Sequence, residues 1–229
     1  MPPIVIHTGP LRVNTLIVPL SGKDVFIVDP AGCRYSGDEN SVLGRLEAES
    51  LNPVAVVLTH GHFDHVSGLP AILKKYPSLP VLIHASDSKM IGPDSAVSQG
   101  ESLDCMGFGE FLPYVSELPA QTAFLQDGKT LLECMGEPAG LDEDTAAALG
   151  RWLVMHTPGH TRGSVCLLNK VEKVLVSGDT FFYRSWGRTD LPGGNEDDIQ
   201  KSLASILYEI DDDVRVFPGH DRFGFTKKD

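Results

Sequence analysis

Apolar residues along this chain fall into short β-branched runs separated by segments of helical spacing. Residues 11–20 read as a strand broken at Ser21-Gly22, with Val25-Phe26-Ile27-Val28 as its hairpin partner. Asp29-Pro30-Ala31-Gly32 stops the sheet, and residues 38–49 carry Val42, Leu43 and Leu46 on one helical face. A strand over 54–58 leads to His60. Residues 66–76 read as a helix, with Pro70 in its first turns where a missing N–H costs little. Strands at 81–83, 152–155, 164–168, 174–176 and 214–217 and a helix over 196–209 complete the regular part.

Between residues 86 and 150 the pattern loosens, and this segment reads as an insertion or lid. It carries Phe108, Phe111 and Tyr114, an apolar lip or a satellite core, and an acidic patch over 137–144. Outside it, the order hairpin, Asp29, helix, strand, His60 is echoed by hairpin, Asp179, helix, strand, His220. Two such halves stacked face to face predict an α+β fold, an αββα sandwich of two mixed sheets flanked by helices. No Gly/Ser-type linker interrupts residues 1–229, so one domain is expected.

At 229 residues, with 41% hydrophobic and 22% charged positions, the chain has the composition of a soluble globular protein. No apolar run approaches the roughly 20 residues a membrane span needs. Met1-Pro2-Pro3-Ile4-Val5 lacks the basic and apolar regions of a secretion signal, so a cytoplasmic protein is expected. A net charge of −12 argues against nucleic acid as a partner, although bound cations would still admit an anionic small substrate. Cys33, Cys105, Cys134 and Cys166 form no C-x-x-C pair, so reduced thiols are expected.

The chemistry concentrates in His60-Gly61-His62-Phe63-Asp64-His65, which packs four metal-capable side chains into six residues at a strand's tip. Imidazole and carboxylate together favour zinc, iron or manganese. Three further signals sit at strand ends: His160 in Thr157-Pro158-Gly159-His160-Thr161, Asp179 in Ser177-Gly178-Asp179-Thr180, and His220 in Phe217-Pro218-Gly219-His220. Five His and two Asp are about what two cations require if a carboxylate bridges them and water fills the open positions.

The succession H-x-H-x-D-H, T-P-G-H-T, G-D, P-G-H resembles the metallo-β-lactamase superfamily of binuclear metallohydrolases over nearly the whole chain. The resemblance implies one metal held by His60, His62 and His160, a second by Asp64, His65 and His220, and Asp179 bridging. The cofactor implied is two divalent cations, zinc first, with iron or manganese as alternatives. Within the superfamily, residues 187–194 (Gly-Arg-Thr-Asp-Leu-Pro-Gly-Gly) look like the glyoxalase II-like hydrolases, which implies hydrolysis of a thioester such as a hydroxyacyl-glutathione. Typical glyoxalase II carries a helical C-terminal domain, which is not expected here because the chain ends soon after His220.

The tail from His220 to Thr226 also resembles the persulfide dioxygenases, which share a Gly-Arg-Thr-Asp segment. Those use one iron held by two His and one Asp, implying His60, His160 and Asp179. The Leu-Pro-Gly-Gly continuation and the complete His-Gly-His-Phe-Asp-His favour the hydrolase; the dioxygenase is the alternative, and a non-catalytic metal-binding scaffold the third reading. The partner expected is a small thioester or ester, and the oligomeric state stays open. Asp64 is the expected catalytic residue, orienting the attacking water while ligating. Asp29 is a candidate orienter of a ligating histidine, or a strand-end cap. Arg188 would grip a substrate carboxylate or, the favoured reading, pair with Asp190 to brace its loop. Tyr183 is a candidate pocket residue with packing as the commoner alternative. His7, His84 and His156 fit no ligand position.

Overall fold

Val, Ile and Leu dominate the runs that pair into sheets, as strands covered on both faces require. The computed structural model describes residues 1–136 and 140–229, so residues 137–139 of the acidic patch lie outside the description. Among the described residues, β1 (Ile4–Thr8), β2 (Val13–Pro19), β3 (Asp24–Val28), β4 (Asn52–Val57), β5 (Val81–His84) and β6 (Ala123–Leu125) form one sheet in that order. The first three are antiparallel neighbours, and β3 to β6 run parallel. Next come β7 (Leu153–His156), β8 (Val165–Asn169), β9 (Val174–Gly178), the small hairpin β10 (Phe181–Phe182) and β11 (Ser185–Trp186), and β12 (Arg215–Pro218). The second sheet has the order β12-β9-β8-β7, with β12 parallel to β9 and the other pairs antiparallel.

Strand alternation sorts side chains between two layers. Along β3, Phe26 and Val28 point into the space between the sheets, while Val25 and Ile27 face the helices outside. The inner core joins Leu16, Phe26, Val57 and Leu82 to Val154, Val165, Leu167, Val176 and Phe217 of the second sheet. Outside the first sheet lie α1 (Ser41–Glu49), α2 (Phe63–Val66), α3 (Leu69–Lys75) and α4 (Ser95–Met106), contributing Val42, Leu46, Phe63, Leu69, Ile72 and Leu103. Next, α5 (Leu131–Met135) and α6 (Glu143–Leu149) close the inner core with Leu131 and Leu149. Finally, α7 (Glu196–Glu209) covers the second sheet through Ile206, packed with Cys166, Leu168, Leu175 and Val216. Each such fully buried Leu, Ile or Phe contributes about 1.5–3 kcal/mol. The result is the αββα sandwich of mixed sheets. In it α1 links parallel β3 and β4 as α7 links parallel β9 and β12.

The single helix over 66–76 and the apolar lip or satellite core at Phe108, Phe111 and Tyr114 need amendment. The helix over 66–76 is interrupted at Ser67-Gly68, because the Gly68 N–H donates to the Pro30 carbonyl (2.7 Å) instead of continuing a helix from α2. The loosely patterned residues 86–150 supply α4, the edge strand β6, α5 and α6. Phe111 is wholly buried in the outer core, where its ring meets Phe63 at 5.1 Å and Tyr35 at 5.2 Å. The aromatic group around it belongs to that core, neither a lip nor a satellite. No helix among the described residues is long and apolar enough to cross a membrane.

Candidate metal centre

The candidate residues sit where parallel strands end, the edge at which open sheets leave room for ligands. Asp29 follows β3; Thr59 and His60 follow β4; Asp179 follows β9; His220 follows β12. His62 precedes α2, whose single turn presents Asp64 and His65, and His160 lies in the turn between β7 and β8. Gly219 is required by close approach: a Cβ there would strike the Asp179 carboxylate and the His65 ring.

These side chains converge into two groups. In the first, His62 Nδ1 stands 2.8 Å from His160 Nε2, with the His60 ring 4.9 and 4.8 Å from theirs. In the second, His65 Nε2 and His220 Nε2 are 3.3 Å apart, and Asp64 Oδ2 is 3.2 Å from His220 Nε2. Asp179 lies between them. Its Oδ1 is 3.4 Å from His65 Nε2, and its Oδ2 is 3.6 Å from His160 Nε2 and 3.5 Å from His220 Nε2. The triads His60, His62, His160 and Asp64, His65, His220 each place ligand atoms within 4.8 Å of one another.

The far nitrogens of four imidazoles are occupied, which settles their tautomers. His65 Nδ1 donates to Asp29 Oδ2 (2.9 Å), His160 Nδ1 to the Arg188 carbonyl (2.8 Å), and His220 Nδ1 to the Leu11 carbonyl (3.2 Å). His60 Nδ1 meets Thr59 Oγ1 at 3.1 Å; that hydroxyl donates its own proton to Asp29 Oδ2 at 2.6 Å, so it accepts from His60. In the neutral form of each imidazole the nitrogen aimed inward is therefore the one that carries the lone pair, the arrangement ligating histidines need. His60 Nε2, His62 Nε2 and Asp179 Oδ1 are buried without a protein partner, a costly condition that cations would relieve at His60 and Asp179. The donor set of imidazoles and carboxylates fits a pair of borderline divalent cations.

Electrostatics divide the two groups. Burial, reinforced by the neighbouring imidazoles, holds His60 and His62 well below the ordinary histidine range, so both are neutral at neutral pH. Burial opposes protonation of His65, but Asp179, Asp64 and Asp29 outweigh it and carry the pKa up to about 10. His220 is likewise raised against its burial, by the Asp64 hydrogen bond and by Asp179. Asp64 would be pushed up by burial, yet His65 and His220 hold it far below the usual carboxylate range.

Of the remaining candidates, Asp29 is buried and accepts from Thr59 N (2.8 Å), Thr59 Oγ1 and His65. Arg188 commits its guanidinium to Asp190 through two 2.7 Å hydrogen bonds, while its carbonyl orients His160. Tyr183 lies apart from both groups in its contacts, packed against Phe225 and beneath the Arg222 guanidinium, 4.1 Å from the ring centre. His84 and His156 stack on each other at 4.1 Å, and His7 faces Phe223. Sequence reasoning passed over Thr59, Asp87 and Gln99, all buried beside the histidine loops. A Thr directly before the first His was the one signal available.

Comparison with known proteins agrees with this architecture. The family model described as "Metallo-beta-lactamase superfamily" matches residues 8–220. The protein ML0493 of Mycobacterium leprae (strain TN) is 35% identical over 214 residues, covering 93% of this chain and 88% of its own. Hydroxyacylglutathione hydrolase GloC of Haemophilus influenzae is 29% identical over 198 residues, 86% of this chain and 80% of its own. The crystal structure of TTHA1623 in a di-iron-bound form superposes with a TM-score of 0.74 at 26% identity, covering 99% of this chain and 94% of that one. The chain belongs to the metallo-beta-lactamase superfamily.

Proposed function

We propose that this protein is a binuclear metallohydrolase that cleaves a thioester, a hydroxyacyl-glutathione being the leading candidate. The observation that carries the reading is the pair of complete ligand groups with the Asp179 carboxylate between them. His60, His62 and His160 would hold one cation, Asp64, His65 and His220 the other, and Asp179 would serve both. Zinc, iron and manganese all suit such donors. When bound, the pair supplies a water deprotonated near neutral pH and an electrophile for a carbonyl oxygen.

The chain's own residues supply the rest. Asp64 stays ionised and accepts a hydrogen bond from the attacking water, orienting it toward the carbonyl carbon. Asp29 holds His65 directly and His60 through Thr59, so one buried carboxylate steadies an imidazole in each group. The Arg188 carbonyl does the same for His160. A departing thiolate, with a thiol pKa near 8.5, leaves without a dedicated acid. The similarity to GloC supports the thioester as substrate class.

Elemental analysis combined with hydrolysis of a lactoyl-thioester tests the reading. Two metals per chain and metal-dependent turnover are expected. One iron per chain, with oxygen uptake on glutathione persulfide, would replace it by a mononuclear dioxygenase using His60, His160 and Asp179. Full metal loading with no turnover on thioester, lactam, lactone or phosphodiester would reduce it to a scaffold.

A further inference from the structure

A tight turn over Ala85–Met90 leaves the end of β5 and enters the space between two loops that belong to different sheets. One loop carries His60 and His62; the other carries His160. Asp87, 2% exposed, reaches both. Its Oδ2 accepts from Gly61 N (3.1 Å) and Thr161 Oγ1 (2.6 Å), and its Oδ1 accepts from Gly163 N (2.7 Å). Gly61 lies between the two histidines of the first loop, and Thr161 is the neighbour of His160.

Gln99 on α4 secures the same point from the other side. Its buried Nε2 donates to the Gly61 carbonyl and to the Met90 carbonyl, both at 2.7 Å. The peptide groups on both sides of Gly61 are thus held by residues of the segment 85–99. Contact is as close as backbone allows: a Cβ on Gly61 would lie 2.5 Å from Met90 Cβ, and one on Gly163 would lie 2.6 Å from Asp87 Cγ. Hydrophobic packing already joins the sheets, and burying a carboxylate is expensive unless its hydrogen bonds are complete. Three donors from two loops complete them, and hydrogen bonds to a charged acceptor are the directional ones.

We infer that Asp87 is a positioning residue that sets the spacing between the His60/His62 loop and the His160 loop, and with it the first ligand group. The inference rests on the metal reading above for its functional consequence. A ligand position must be right to within about 0.2 Å for a cation to be held. His62 Nδ1 and His160 Nε2, 2.8 Å apart, belong to residues 98 positions apart in sequence, so their spacing depends on whatever ties the loops together.

The test is Asp87→Asn, with metal-binding titrations and the cobalt absorption spectrum as readouts. Turned either way, the amide keeps one acceptor oxygen, so Gly61 N or Gly163 N loses its partner. The first group should lose affinity by about 10–100-fold, the effect typical of orienting residues around metal ligands. Asp64, His65 and His220 should keep theirs, and the cobalt spectrum of the first group should shift. Should Asp87→Asn not fold, Thr161→Val removes the 2.6 Å bond to Asp87, together with the 2.7 Å hydroxyl contact to Ser164 within the same loop, and should give a smaller change of the same kind. Wild-type affinity and spectrum in these variants, or an equal loss at both groups, would overturn the inference. Wild-type protein that takes up no metal would overturn the metal reading instead. In that event the imidazole shifts of His62 and His160 in the metal-free protein decide: the variants move them if the brace operates, and unchanged shifts refute it.

Discussion

Replacing Asp29 by Asn should weaken metal binding at both groups while leaving the fold largely intact. The buried carboxylate accepts from Thr59 N at 2.8 Å, Thr59 Oγ1 at 2.6 Å and His65 Nδ1 at 2.9 Å. In the variant the amide oxygen can keep Thr59 N, but the amide NH2 then faces the hydroxyl and the imidazole as a donor. His65 must accept at Nδ1, which moves its proton to Nε2, the nitrogen 3.4 Å from Asp179. Thr59 must likewise turn its proton toward His60 Nδ1, 3.1 Å away, which protonates His60 at its inward nitrogen. One atom exchange thus fills two lone pairs meant for cations. A reversed tautomer is the way a comparable Asp→Asn change disables a catalytic triad.

The magnitudes separate this from unfolding. Hydrogen bonds to a charged group contribute about 1.5–3 kcal/mol and neutral ones about 0.5–1.5, so three weakened bonds cost about 3 kcal/mol in all. Asp29 also has φ +48°, a left-handed conformation Asn tolerates well. Metal affinity should fall by about 10–100-fold at each group. Urea unfolding of the metal-free protein and competition titration with zinc measure the two effects separately. An Asp29→Asn protein that binds both metals as tightly as wild type would refute the tautomer argument.

Phe111→Ala should destabilise the protein by about 3–5 kcal/mol in urea unfolding, since its ring is wholly buried against Phe63 and Tyr35; a loss below about 1 kcal/mol would mean that residues 109–114 do not belong to the core. His220→Ala should leave one metal per chain, on the first group, and abolish thioester turnover; two metals retained would remove His220 from the ligands. Metal uptake should depend on pH differently at the two groups. His65, raised to about 10, carries a proton at neutral pH that a cation must displace, and His220 is shifted in the same direction, so affinity there should rise with pH up to about 10. His60 and His62, held low by burial, have none to release, so the first group's affinity should be nearly flat above neutrality. Zinc calorimetry in buffers of differing ionisation enthalpy counts the protons, and equal release at both groups would contradict the assignment.

The sequence by itself determined the layered plan and the types of side chain available to the centre. Period-two runs such as Val25-Phe26-Ile27-Val28 and the helical spacing of residues 196–209 encode burial locally, and each candidate ligand marks the end of such a run. Segments whose partners lie far away were illegible. β1 follows two prolines and is pinned by β2; β6 is three residues long and exists because β5 offers an edge; Phe111 is core because Tyr35 and Phe63 surround it. Asp87, in an ordinary Ala-Ser-Asp-Ser turn, meets partners 74 and 76 residues later, and Gln99 meets Gly61 from 38 away. Only the tertiary structure decided which nitrogen of each imidazole faces inward and what holds the histidine loops in place. Those outcomes depend on hydrogen bonds between chain segments that no local pattern of residues encodes.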